Sequence, residues 1–196
     1  MKKLVFGLLI WRNLFAIPIY LANQEKINLD MQRYLSSTPF SKPNIWALNY
    51  LLIQNKPFRS VFRYRINKRK HKILKIFLPK CLPGIEVYGE IDGGLLLFHN
   101  MGCVIAPYKA GKNLTVAQGV TIGKGNPNEE GRMAPILGDN VWVCTNAVVF
   151  GGITVGNNVK IGAGTVLNKS VPDNCTVVGN PARIIKRDGV PVDEML

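Results

Sequence analysis

Two histidines, His71 and His99, and four cysteines, Cys81, Cys103, Cys144 and Cys175, are the residues of this 196-residue chain best suited to proton transfer or nucleophilic attack. Imidazole titrates near neutral pH, so a histidine can take a proton and later return it. His71 stands in NKRKHKILK, among cations, and reads as a surface residue. His99 stands in FHNMGCVI, the only histidine of the C-terminal part, and is the candidate general base. A metal centre built on three imidazoles is excluded by the histidine count. The cysteines have no metal-type spacing and read as reduced thiols of a cytoplasmic protein. Cys103 and Cys144 occupy repeat positions without a neighbouring base, so covalent catalysis is not expected.

The element that must position His99 is a six-residue repeat. Apolar residues return at Leu137, Val143, Val149, Val155, Ile161 and Leu167. A small or turn-prone residue usually follows, as at Gly138, Gly156 and Gly162. Four positions on from each apolar residue stand Val141, Ala147, Ile153, Val159, Thr165 and Val171. A fixed hexapeptide period is the signature of a parallel β-helix, in which three hexads make one triangular coil. Imperfect hexads begin at Ile85, Ile91 and Leu97, and an extra residue near Cys103 shifts the phase to Val104, Ala110, Val116 and Ile122. Ile122 to Leu137 exceeds one period by nine residues, which must leave the coil as an excursion loop within 124–135, KGNPNEEGRMAP. Gly, Pro and charged residues suit such a loop. The expected division is a basic α-helical region at 1–80, a β-helix at 81–187 and a frayed C-terminal tail at 188–196.

Charge separates the first two. Residues 1–80 hold 16 Lys+Arg against 2 Asp+Glu, and residues 81–196 hold 9 against 10. A basic region can face an anionic membrane, a nucleic acid or an anionic substrate. No nucleic-acid motif accompanies the basic run at 67–75, and nucleic-acid binding is not expected. Residues 1–22 have an apolar run broken by Arg12 and Asn13, too short to span a bilayer. They read as an amphipathic helix packed on protein, or lying on the inner membrane face. Asn28 or Asp30 is expected to cap a helix from 31, and helices are expected over 44–54 and 58–66.

The segments FHNMGCVI (98–105), TVAQGVTIG (115–123), VGNNVKIGAGTVL (155–167) and VVGNPARII (177–185) together resemble the hexapeptide-repeat acyltransferases, within them the serine acetyltransferase-like branch. Residues 44–66 resemble the helical lead-in of the branch that acetylates surface polysaccharides. The resemblance implies a mainly β fold, a left-handed parallel β-helix with an N-terminal α-helical region. It also implies a homotrimer that binds acetyl-CoA in the groove between subunits. His99 falls where that family keeps its catalytic histidine. Glu86 falls at the carboxylate that orients it, with Asp92 the alternative. Thr145 and Ala163 match positions along the pantetheine track. Lys169, Arg183, Lys186 and Arg187 are candidates for the nucleotide phosphates, since anions need cationic partners. Trp142 is open to a subunit contact or a substrate platform. The serine branch carries a second histidine where this chain has Ala134. Its absence points to an acetyl-CoA-dependent O-acetyltransferase whose acceptor is a sugar hydroxyl of a surface polysaccharide or its precursor. The alternatives are a serine O-acetyltransferase of cysteine biosynthesis and a non-catalytic scaffold.

Overall fold

The computed structural model describes residues 13–66, 76, 78–81, 83–99 and 101–196. The chain divides into two units, 1–82 and 83–196.

The first unit is helical: α1 (Ala16–Ala22), α2 (Gln24–Tyr34), α3 (Ile45–Gln54) and α4 (Lys56–Arg65). Asn44 and Asn55 start α3 and α4, their side chains accepting from the N–H groups of Ala47 and Phe58, each at 2.9 Å. Such caps satisfy donors that a helix start leaves orphaned. Pro57 sits in the first turn of α4, where its missing N–H does no harm. The expected cap at Asn28 or Asp30 is not made, because both residues lie inside α2. Asp30 is buried there and holds buried Arg65 of α4 in a fork, Nε to Oδ2 at 2.8 Å and Nη2 to Oδ1 at 2.9 Å. A buried carboxylate needs such a partner, and pairing across helices outweighs its preference for a cap. Ile27, Met31, Leu48, Leu51, Phe58 and Phe62 fill the core between these helices. Residues 1–12 and the basic run at 67–75, with His71, lie outside the described residues.

The second unit is a parallel β-helix of five coils with three sheets. The first sheet stacks β1 (Ile85–Val87), β4 (Cys103–Ile105), β7 (Thr121–Gly123), β10 (Val148–Phe150) and β13 (Val166–Leu167). The second stacks β2 (Glu90–Ile91), β5 (Lys109–Ala110), β8 (Ile136–Leu137) and β11 (Thr154–Val155). The third stacks β3 (Leu96–Leu97), β6 (Thr115–Val116), β9 (Trp142–Val143), β12 (Lys160–Ile161) and β14 (Cys175–Val178). Every hexad residue from Leu137 to Leu167 is buried, and so is each residue four positions on. Aligned strands stack these apolar columns at about 4.8 Å per coil.

The phase near Cys103 differs from the sequence expectation. Val104 faces outward, while Cys103 and Ile105 are buried. Ile105 pairs with Ile122, so the step from stacked Leu97 to stacked Ile105 is eight residues, where Val116 to Ile122 is six. The surplus lies in the corner between the third and first sheets.

The corner between the second and third sheets has an amide ladder. Asn113, Asn140, Asn158 and Asn174 each adopt positive φ, and each Nδ2 donates to the next Oδ1, the last to Asp188, at 2.9–3.0 Å. Asn tolerates this left-handed conformation better than most residues. Gly156 is required beside the ladder, because a Cβ there would come within 2.2 Å of Asp173 Oδ1.

The C-terminus is not frayed. β15 (Arg183–Arg187) pairs antiparallel with β14, and β16 (Val190–Met195) pairs antiparallel with β15. The antiparallel hairpin extends the third sheet where hexads stop, so a six-residue period does not reveal it.

Candidate active site

His99 sits in the lengthened corner. Phe98 is still in register with the third sheet, its N–H donating to Val116 O at 2.8 Å. Met101 is already back on the corner column, where its carbonyl accepts the Gly119 N–H at 2.9 Å. His99 therefore falls within the surplus of this corner. His99 has φ of 52°, and the other non-glycine residues with positive φ among the described residues are all Asn or Asp. For a side chain with no local amide this conformation costs about 1–2 kcal/mol. Strain of that kind collects at functional sites. His99 is exposed, and its ring meets the Phe98 ring edge-on at 4.3 Å between centroids and 74° between planes.

Above this corner runs a column of backbone bonds. Asn146 N–H donates to Gln118 O at 3.0 Å, and Gly164 N–H donates to Thr145 O at 2.9 Å. Met101, Gln118, Thr145 and Ala163 thus follow one edge of the prism. Three coil rises separate the first from the last, about 14 Å at the usual strand spacing. The structure brings His99, Thr145 and Ala163 to the same edge. Gln118 stands between them on that edge.

Other candidates lie elsewhere. Glu86 is exposed on the outer face of β1, opposite Val104, and accepts the Tyr88 hydroxyl at 3.1 Å. That bond holds the Tyr88 phenol above its usual range. Among the described residues no carboxylate is ion-paired with His99, so the expected Glu86–His99 pair is not formed within one chain. Glu86 stands on the first sheet, while His99 follows β3 of the third. Asp92 follows β2 at the corner between the second and third sheets, where Oδ1 accepts the Gly93 N–H at 2.8 Å. It too stands apart from His99.

Lys169 follows β13 at the corner between the first and second sheets, exposed on a cleft of about 320 Å³ with Asn126, Asn128 and Ser170. Arg183 is opposite Val178 at the C-terminal end of the third sheet and pairs with Asp193 at 3.4 Å. Neither cation shares the edge of Thr145 and Ala163. Trp142 is exposed on the third sheet, with Lys160 Nζ 4.5 Å from its ring centroid. Burial pushes the Cys144 thiol up, against the opposing pull of Lys160, which keeps it a poor nucleophile. Cys103 is buried, its thiol donating to Ala117 O at 3.3 Å. Among the described residues no cluster of His, Cys, Asp and Glu could hold a metal ion.

The excursion loop is anchored. Asn128 Oδ1 accepts the N–H groups of Glu130 and Arg132 at 3.2 and 2.8 Å. Arg132 Nη1 donates to Ala134 O at 2.8 Å and Ile153 O at 2.9 Å, and Nη2 to Thr154 Oγ1 at 3.3 Å. A guanidinium has five N–H donors, so this fork retains some for another acceptor.

Residues 134–169 match the family model for the bacterial transferase hexapeptide, six repeats. The chain is 40% identical over 171 residues to a serine acetyltransferase of Staphylococcus xylosus, covering 84% of this chain and 79% of that one. It belongs to the hexapeptide-repeat acetyltransferase family.

A serine acetyltransferase of Synechococcus elongatus is 41% identical over 121 residues, 60% of this chain and 49% of its own length. The chain spans about half the length of that relative and of the Staphylococcus aureus enzymes, of which it covers 54–55%. Among solved structures, the serine acetyltransferase of Neisseria gonorrhoeae is similar with TM-score 0.66 and 26% identity, over 90% of this chain and 69% of that one. A Brucella abortus serine acetyltransferase in complex with coenzyme A is similar with TM-score 0.51 and 26% identity, over 88% and 72%. These hexapeptide-repeat relatives overturn the expectation of a polysaccharide acceptor, which rested on residues 44–66 and on Ala134. The lead-in helices were a loose match, and one loop residue is weaker ground than likeness over 171 residues.

Proposed function

We propose that the chain is an acetyl-CoA-dependent serine O-acetyltransferase acting as a homotrimer. The observation that supports it most is His99 bulging from a strained corner, on the edge that also carries Thr145 and Ala163, in a chain 40% identical to a serine acetyltransferase over 171 residues. A neutral alcohol attacks a thioester slowly, so the acceptor hydroxyl needs a base. His99 takes that proton as serine Oγ bonds to the acetyl carbonyl carbon. The resulting oxyanion is held by backbone N–H groups, as such intermediates require. It collapses with cleavage of the C–S bond, and the imidazolium returns its proton to the departing thiolate. Pantetheine follows the edge at Thr145 and Ala163, with neighbouring subunits closing the groove. The free donors of Arg132 supply the counter-charge for a serine carboxylate, in place of the imidazole missing at Ala134.

The test is release of CoA thiol from acetyl-CoA with and without L-serine. The reading expects serine-dependent turnover on the order of 10 per second, typical of enzymes. Thiol release that is unchanged by serine overturns it.

A further inference from the structure

Helix α1 is apolar on two faces. Ala16, Ile19 and Tyr20 are buried in the helical unit, beside Asn13, whose amide donates to buried Asn49 Oδ1 at 2.6 Å. The opposite face has exposed Pro18 and Leu21, and Leu14 and Phe15 stand just ahead of the helix; the three large side chains Leu14, Phe15 and Leu21 are exposed by 51%, 43% and 57%. These positions fall at helical spacing and form one stripe. No charged residue interrupts it from 13 to 24. A solvated helix face is normally polar, and a contiguous apolar stripe marks a docking surface.

Charge decides between its occupants. Residues 1–80 hold 16 Lys+Arg against 2 Asp+Glu. Two copies meeting through this face would bring like charges together, whereas an anionic surface is attracted. An apolar stripe within a strongly basic region is the pattern of segments lying in a bilayer interface. No described helix is long and apolar enough to cross a membrane.

We propose that the exposed face of α1 docks the protein on an anionic lipid surface, Leu14, Phe15 and Leu21 entering the headgroup region while the basic charge meets the lipid phosphates. The inference does not rest on the acceptor of the reaction.

The test is co-sedimentation of the full chain with phosphatidylglycerol vesicles and with phosphatidylcholine vesicles, beside the double variant Leu14→Gln with Leu21→Gln. Both side chains are exposed, so the variant should keep its circular dichroism and its serine-dependent thiol release. The wild type should bind the anionic vesicles, weaken in high salt as charges are screened, and leave the neutral ones largely unbound. The variant should bind about tenfold more weakly or worse, since such binding scales with buried apolar area. Equal binding to both vesicles, no binding to either, or undiminished binding by the variant overturns the proposal. So does a variant that changes only its mass by light scattering, which would make the face a contact between copies.

Discussion

At the scale of single residues, His99 was legible as a candidate because the chain has two histidines and only this one lies in the repeat. Its partner was not legible. The family resemblance offers Glu86, but the lengthened corner decides where the imidazole goes, and a resemblance in sequence does not locate a bulge. The proposed role makes a direct forecast. His99→Asn keeps a polar side chain that tolerates φ of 52° but cannot take a proton. The rate should fall about 10²–10⁴-fold, the usual loss of a positioned base, with CoA affinity by calorimetry unchanged. A variant keeping more than about a tenth of the rate would remove His99 from that role. A second residue gives a pH signature. The Asn157 side chain, then its backbone N–H, hold the Asp173 carboxyl below its usual range. A depressed folded-state value means stability that is present above the ordinary carboxylate pKa, about 3.9, and lost as pH falls through the folded value. Melting curves of wild type and Asp173→Ala should therefore differ at neutral pH and converge in strong acid. A gap that widens on acidification would contradict this sign.

At the scale of elements, the hexads from Leu137 to Leu167 were fully legible, because each inward residue stacks on its copy in the next coil. Val104 was misread because a three-residue strand alternates, burying Cys103 and Ile105 on either side of it. The C-terminal hairpin was also illegible, since its antiparallel pairing follows no six-residue rule. Asp30 reads as a cap from the sequence because nothing local reveals Arg65, 35 residues away. The amide ladder offers a measurable element. Asn158 donates to Asn174 Oδ1 and accepts from Asn140 Nδ2, at 2.9 and 3.0 Å, with φ of 55°. Asn158→Ala loses both bonds and strains the backbone, and should cost about 1–3 kcal/mol in denaturant unfolding. Asn158→Gly loses the same bonds without the strain and should cost about 1 kcal/mol less. Equal losses would mean that the left-handed corner carries no strain.

At the scale of the whole molecule, the helical unit and the β-helix answer to different physics. The first rests on capped helices and a buried ion pair, the second on repeated stacking that adds coil by coil. The edge of half-buried Gln118 and Thr145 and exposed Ala163 does not enclose a ligand within one chain. Cyclic closure is the common way to complete such a groove, so light scattering at micromolar concentration should give three times the 21.8 kDa chain mass. A monomer mass would leave the proposed groove open. The central claim is the acceptor together with the base that activates it. Its most direct test is mass-spectrometric detection of O-acetyl-L-serine from acetyl-CoA and L-serine, formed by wild type and His99→Asn in parallel. The account predicts stoichiometric product with the released CoA for the wild type, and a rate lower by about 10²–10⁴-fold for the variant. CoA release without O-acetylserine, or equal product from both proteins, would contradict it.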